Sequence, residues 1–139
     1  MSDSGTVMGF DFGMKNIGVA VGQQLTGTAS GLTALKARDG IPDWQQIAEL
    51  IRQWQPRQLV VGLPLNMDGS EQQMTASARK FGNRLNNRFN IPVAWQDERL
   101  TTFEAVASMG LRNKFQSAKR SDVDRLSAQI ILQSWLDQQ

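Results

Sequence analysis

The chain has 139 residues, 40% of them hydrophobic, and a formal net charge of +2. It contains no cysteine, no histidine and no tyrosine. Disulfides, thiolate nucleophiles, thiolate- or imidazole-ligated metals, histidine acid–base catalysis and phosphotyrosyl intermediates are therefore excluded, leaving carboxylates, Lys, Ser/Thr, backbone amides and bound metal ions for any catalysis.

The length suits one domain, 1–139, with one sizeable core. No repeat, linker or low-complexity stretch divides it. The apolar stretches are strand-sized, too short to span a membrane, and MSDSGT lacks the basic and apolar regions of a signal peptide. A cytoplasmic protein without membrane association is expected. The small net charge does not by itself indicate a nucleic-acid partner, although clustering can still make a basic face.

Val7 to Phe12 and Ile17 to Val21 read as two strands joined across Gly13-Met14-Lys15-Asn16, a spacing that predicts an antiparallel hairpin. Thr26 to Lys36 reads as a third strand of the same meander, weakened by its glycines. After Pro42-Asp43, the residues Trp44, Ile47, Leu50, Ile51 and Trp54 follow helical spacing, and Pro56 ends the run. Gln58 to Leu65, QLVVGLPL, is continuously apolar, as a strand covered on both faces should be. NMDGS is a loop. Ser70 with Gln73 has capping-box spacing and predicts a helix to about Phe89, with Met74, Phe81, Leu85 and Phe89 facing inward. Ile91 to Trp95 is a further strand with QDER at its end. Thr101 with Glu104 predicts a short helix to about Met109. GLRNKFQSAKR is a basic loop, and Ser121 is placed to cap a last helix running towards Trp135. The order βββ-α-β-α-β-α-α predicts an α/β fold whose mixed five-stranded sheet has three antiparallel strands, then two parallel ones, with helices on both faces.

Most acids fall on helix surfaces or in loops. Asp11 ends the first strand, Asp97 and Glu98 end the last strand, and Asp122 and Asp124 lie at the start of the last helix. Sites in such sheets gather at the carboxyl ends of parallel strands, so Asp11, Glu98 and Asp124 are placed to converge. Clustered carboxylates repel, and a hard divalent cation relieves the repulsion with oxygen ligands alone. Each acid also has a plain structural reading: Asp11 as a turn former, Asp97-Glu98-Arg99 as a strand-end charge cluster, and Asp124 as the N3 acid of a helix capped by Ser121. Strand alternation allows only one of Asp97 and Glu98 on a given face, and the sequence leaves open which one.

FDFGMKNIGVAVG, VVGLPLNMDGSEQ, DERLTT and SDVDRLSAQIIL occur in this order over nearly the whole chain. Together they resemble the YqgF (RuvX) family. That resemblance implies a ribonuclease H-like fold and a metal-dependent nuclease related to Holliday-junction resolvases, acting at the 5′ end of pre-16S ribosomal RNA. It implies Asp11, Glu98 and Asp124 as catalytic metal ligands for Mg²⁺ or Mn²⁺, with Asp97 a secondary candidate and Asp122 a third. Two departures stand out: Met14 where members commonly carry Thr, and the bulky Arg125-Leu126 where small residues usually follow the last acid.

The expected partner is structured RNA or branched DNA, bound by a monomer or weak homodimer. Its phosphates are expected at Lys15, Arg99, Arg112, Lys114, Lys119, Arg120 and Arg125, with Phe115 available to stack on an unpaired base. Lys80, Arg84 and Arg88, with Arg79 beside them, read as a solvated helix face. A paired-cut junction resolvase should be a two-fold dimer, and a non-catalytic RNA-binding module is a further alternative. The first motif also resembles the phosphate loop of actin-like and sugar-kinase ATPases, but the chain has room for only one of their two lobes and carries no second DxG-type loop.

Overall fold

The computed structural model describes residues 5–100 and 120–139. Its strands are β1 (Thr6–Asp11), β2 (Asn16–Gln23), β3 (Thr28–Arg38), β4 (Ile41–Pro42), β5 (Gln58–Leu63) and β6 (Val93–Asp97); its helices are α1 (Trp44–Trp54), α2 (Gln73–Phe89) and α3 (Arg120–Asp137). They form one sheet in the order β4-β3-β2-β1-β5-β6. β1 to β4 pair antiparallel in succession, and β1, β5 and β6 run parallel. The sheet thus has six strands rather than the expected five. The sixth is the two-residue β4, where the tight turn at Asp39-Gly40 folds Ile41 and Pro42 back on Arg38 and Ala37. The short helix expected at Thr101–Met109 lies outside the described residues.

Alternation divides the core between the two faces. Met8 and Phe10 of β1, with Ile17, Val19, Leu59 and Val61, pack against Ile47 of α1 and Ala78, Phe81 and Leu85 of α2. Val7, Ala20 and Val60 face the other way, against Ala128, Ile131, Leu132 and Leu136 of α3. β1 is therefore buried on both faces along its length until Asp11, which is half-buried at its end.

Helix ends follow side-chain chemistry. Asp43 Oδ1 accepts from Gln45 N at 3.0 Å to start α1, and Gln55 closes it in the left-handed conformation ahead of Pro56. α2 begins two residues later than the Ser70–Gln73 spacing suggests. Asp68 Oδ1 accepts from both Ser70 N (2.9 Å) and Ser70 Oγ (2.6 Å), which commits Ser70 to the preceding turn. The first turn is closed instead by Thr75, whose Oγ1 accepts from Gln72 N at 3.1 Å and donates to Pro64 O. Ser121 does not cap α3, because the helix already includes Arg120; Asp124 accordingly sits deeper in it than position N3.

The outer edge of β3 is open beyond β4, and α3 covers it. Gln129 Oε1 accepts from Gly31 N at 2.9 Å, Gln133 Oε1 accepts from Ala29 N at 3.0 Å, and Gln133 Nε2 donates to Gly27 O at 2.7 Å. Side chains four apart on the helix thus satisfy edge amides that would otherwise invite strand pairing.

Glycines let α3 lie close to the sheet. A Cβ at Gly9 would stand 2.8 Å from Leu132 Cβ, closer than two side-chain carbons can come. Gly9→Ala is expected to cost about 1–3 kcal/mol by overpacking. In urea unfolding the midpoint should fall with an unchanged slope.

Candidate active site

Asp11 pairs with Gly18 across the β1–β2 hairpin. On the other side, the last β1–β5 pair is Phe10 with Val61, so Asp11 is level with Gly62. The row Gly18–Asp11–Gly62 therefore crosses three strands at one edge of the sheet. Asp11 shares the parity of Val7 and Gly9, which puts its side chain on the α3 face.

The two glycines leave room for the other acids. A Cβ on Gly18 would come within 2.0 Å of Asp124 O, so the α3 backbone rests directly on β2 there. A Cβ on Gly62 would come within 2.7 Å of Glu98 Oε2 and 2.6 Å of Ile131 Cδ1. Asp124 is buried at 6% exposure. Asp11 thus stands between a position overlaid by Asp124 and one overlaid by the Glu98 carboxyl. The sequence reading missed Gly18 and Gly62; their signal is a glycine inside a strand, which marks close approach of another group.

Asp97 and Glu98 are separated by a change of backbone rather than by strand alternation. Asp97 is the last residue of β6, and Glu98–Leu100 form a single 3-10 turn. The Asp97 carboxylate is held by Arg99: Nε donates to Oδ1 and Oδ2 at 3.1 Å each, Nη2 to Oδ2 at 2.7 Å, and the backbone N to Oδ1 at 2.9 Å. These bonds, the guanidinium's first, hold the Asp97 pKa below its ordinary value. Glu98 is shifted the other way. Burial first, then the charge of Asp11, then that of Asp97, raise it from 4.5 to about 7.

Among the described residues, no three acids stand as a ready metal-binding cluster. The chemistry of Asp11, Glu98 and Asp124 fits a hard divalent cation: all are carboxylates, none needs a thiolate or imidazole partner, and Glu98 is held among like charges that a cation would relieve.

The expected phosphate contacts divide. Lys15 is exposed in the turn that follows Asp11. Arg99, besides its bonds to Asp97, donates from Nη1 to Met67 O at 3.0 Å, tying the loop after β5 to the end of β6. Arg125 pairs with Asp122 through Nε at 3.1 Å and Nη2 at 2.5 Å. Arg120 opens the described part of α3. Arg112, Lys114, Phe115 and Lys119 lie outside the described residues.

Solved structures share this architecture. T. thermophilus RuvC in complex with Holliday junction substrate superposes with a TM-score of 0.57 at 16% identity, covering 94% of this chain and 92% of that one. The Fowlpox virus resolvase, solved with substrate Holliday junction DNA, gives 0.57 at 13% identity, covering 96% and 97%. The fold is that of the ribonuclease H-like, RuvC-type proteins. A model of the RuvX family, described as Holliday junction resolvase, matches residues 5–138, and the chain belongs to that family. It is 60% identical to a protein of Glaesserella parasuis serovar 5 over 98% of this chain and 99% of that one, and 58% identical to one of Yersinia pestis over 96% of each. Both relatives carry the name "Putative pre-16S rRNA nuclease".

The raised Glu98 pKa makes metal-free stability depend on pH. An unfolded chain releases this proton near 4.5, whereas the folded chain keeps it to about 7. Between those values the native state binds more protons than the unfolded one, so stability falls as pH rises, by on the order of a few kcal/mol in total. Thermal melts in chelator should show a lower Tm at pH 8 than at pH 5.5, and Glu98→Gln should flatten that slope. An identical slope in the variant would show that Glu98 titrates normally.

Proposed function

We propose that this chain is a divalent-metal-dependent endonuclease that hydrolyses phosphodiester bonds in structured nucleic acid, with the 5′ end of pre-16S ribosomal RNA as its substrate. The observation that carries the reading is the row at the sheet edge, where Asp11 stands between positions overlaid by Asp124 and by the Glu98 carboxyl. The relatives' names support RNA as the substrate.

Asp11, Glu98 and Asp124 are the proposed ligands for Mg²⁺ or Mn²⁺. Bound there, such ions supply Lewis acidity towards the phosphodiester and its attacking water. The protein's own contribution is placement. β1 fixes Asp11 at the end of a strand buried on both faces, and α3 fixes Asp124 by its seat on Gly18. Arg99 holds Asp97 aside, so Glu98 is the acid of that pair turned towards Asp11. Lys15, Arg99, Arg112, Lys114, Lys119, Arg120 and Arg125 are proposed to hold substrate phosphates around this edge, with Arg125 exchanging Asp122 for phosphate.

We read the chain as a single nuclease domain that acts in the cytoplasm as a monomer or weak homodimer. No helix among the described residues is long and apolar enough to cross a membrane. Junction DNA is the second substrate reading, favoured by the shared fold with resolvases solved on such DNA.

The deciding assay offers precursor 16S RNA and a four-way DNA junction to the wild type and Asp11→Asn, each with Mg²⁺, Mn²⁺ or chelator. The expected result is metal-dependent cleavage of the RNA, lowered by at least about 100-fold in the variant, the scale of losing one preorganised electrostatic group. Paired cuts in the junction by a two-fold dimer would instead identify a resolvase. Binding of either substrate with no cutting under any metal condition would identify a non-catalytic module.

A further inference from the structure

The α1/α2 face of the sheet carries a trough that the carboxylate edge does not use. One part, of about 140 Å³, is lined by Phe12 and Met14 after β1, by Asp39, Gly40 and Ile41 between β3 and β4, and by Ser77, Lys80, Phe81 and Arg84 of α2. A second part, of about 530 Å³, shares Ile41 and Arg84 and adds Trp44, Asn87 and Arg88. The shared residues make the two hollows neighbours along α2. Met14 and Ile41 expose apolar surface into them, at 39% and 52%.

Like Lys15, Lys36 and Arg38, the cations of this trough are not bound to acids among the described residues, whereas several others are. Arg52, Arg79, Arg99 and Arg125 are each bound to an acid. Among the described residues Lys80 and Arg84 form no ion pair. Arg88 lies with Cζ 4.4 Å from the centre of the Trp44 ring, while Trp44 stacks on Phe81 at 5.8 Å. The guanidinium is thus backed by an aromatic pair and keeps its outer side exposed. Lys80, Arg84 and Arg88 recur at four-residue steps, so the row extends about 12 Å along the helix. Asp39 is the single acid in the lining against three cations.

The mouth of the trough lies at the sheet edge that carries Asp11. Phe12 and Met14 follow Asp11 directly, and Gly40 N donates to Met14 O at 2.9 Å. β5 ends at that edge, so α2 starts from it and runs away, placing Lys80 nearer the mouth and Arg88 farther along.

We propose that this trough is a second nucleic-acid subsite, which takes a single-stranded segment flanking the scissile position. Lys80 and Arg84 contact successive phosphates, and an unpaired base lies on the Arg88–Trp44 platform beside Ile41. Cations that track a backbone, next to a flat stacking surface and apolar contacts, are the ordinary means of holding single strands without reading sequence. A general anion surface needs neither the platform nor the apolar floor. The inference rests on the nuclease reading for its substrate, but its test does not depend on cleavage.

The probe is a 20-nucleotide single-stranded uridine-rich RNA with a 5′ fluorophore, followed by anisotropy in chelator so that no cutting occurs. The variants are Lys80→Ala/Arg84→Ala together, and Arg88→Ala alone. The double variant should bind at least tenfold more weakly, and its dependence of log affinity on log salt should be shallower by about 1.4, given about 0.7 per phosphate contact on single strands. Arg88→Ala should weaken binding severalfold, and a 4-thiouridine version of the strand should crosslink to the peptide containing Ile41 and Trp44. Unchanged affinity and salt slope in the double variant would overturn the proposal, as would displacement of the RNA by poly-glutamate at equal charge concentration, which would mark an acidic protein as the fitting partner. Normal cleavage by a double variant that binds like wild type would refute the trough alone. Absence of cleavage by the wild type would refute the nuclease reading while leaving the binding result readable.

Discussion

The seat of α3 on Gly18 is the contact on which the carboxylate edge depends. A side chain at that position would meet the carbonyl oxygen of Asp124, so the helix axis could not lie as close to the sheet. The same closeness recurs along α3: Gly31 lies under Arg125, Gly9 under Leu132 and Gly22 under Leu136. With these points fixed, Asp124, Ala128 and Ile131 fall on one face at i, i+4 and i+7, and the apolar pair drives that face onto the sheet. Asp124 is carried in with them. Its burial follows from the packing of its neighbours, which explains how a helix keeps a carboxylate where solvation alone would expel it.

Charge is then distributed unequally between two adjacent acids. Arg99 satisfies Asp97 with three guanidinium contacts and a backbone amide, so Asp97 is ionised and structurally occupied. Glu98 receives the opposite treatment: it is half-buried, feels the charge of Asp11, and holds its proton to about 7. A bidentate guanidinium suits the first task because its planar donors match a carboxylate. The second needs a position where a counterion gains most from arriving, and a desolvated carboxyl among like charges is such a position. Two neighbouring residues of the same chemistry thus separate into an ionised strut and a carboxyl that holds its proton, divided by the switch from strand to 3-10 turn.

Much of this was legible in the sequence, for definite reasons. The alternation of Val7 to Phe10, the helical spacing from Trp44 to Trp54 and the apolar run from Leu59 to Leu63 each reflect burial, and burial is what a hydrophobic pattern records. The convergence of Asp11 with Glu98 followed from parallel pairing at the carboxyl ends of strands. Hydrogen-bond competition was less visible. Ser70 and Ser121 look like caps, but one is claimed by Asp68 and the other lies inside its helix. Nor did the spacing of QDER reveal which acid Arg99 would take, because that depends on the backbone turning immediately after Asp97. The role of the glycines at 18 and 62 was not legible, since the group that fills each gap comes from a distant part of the chain.

The two faces of the sheet meet at one edge, and that edge carries complementary chemistry on its two sides. On the α3 side Asp11 and Glu98 stand close enough to repel; on the α1/α2 side the trough is lined by three cations and one acid. Within a chain of net charge +2, this separation is not a property of composition. It leaves each set with an incomplete field: the acids are eased by small hard cations and the cations by a polyanion. A nucleic-acid strand crossing the edge, with metal ions at its scissile phosphate, would satisfy both together, and the turn from Gly13 to Asn16 is the point it would cross. Lys15 sits exposed in that turn, where the strand would pass from one face to the other.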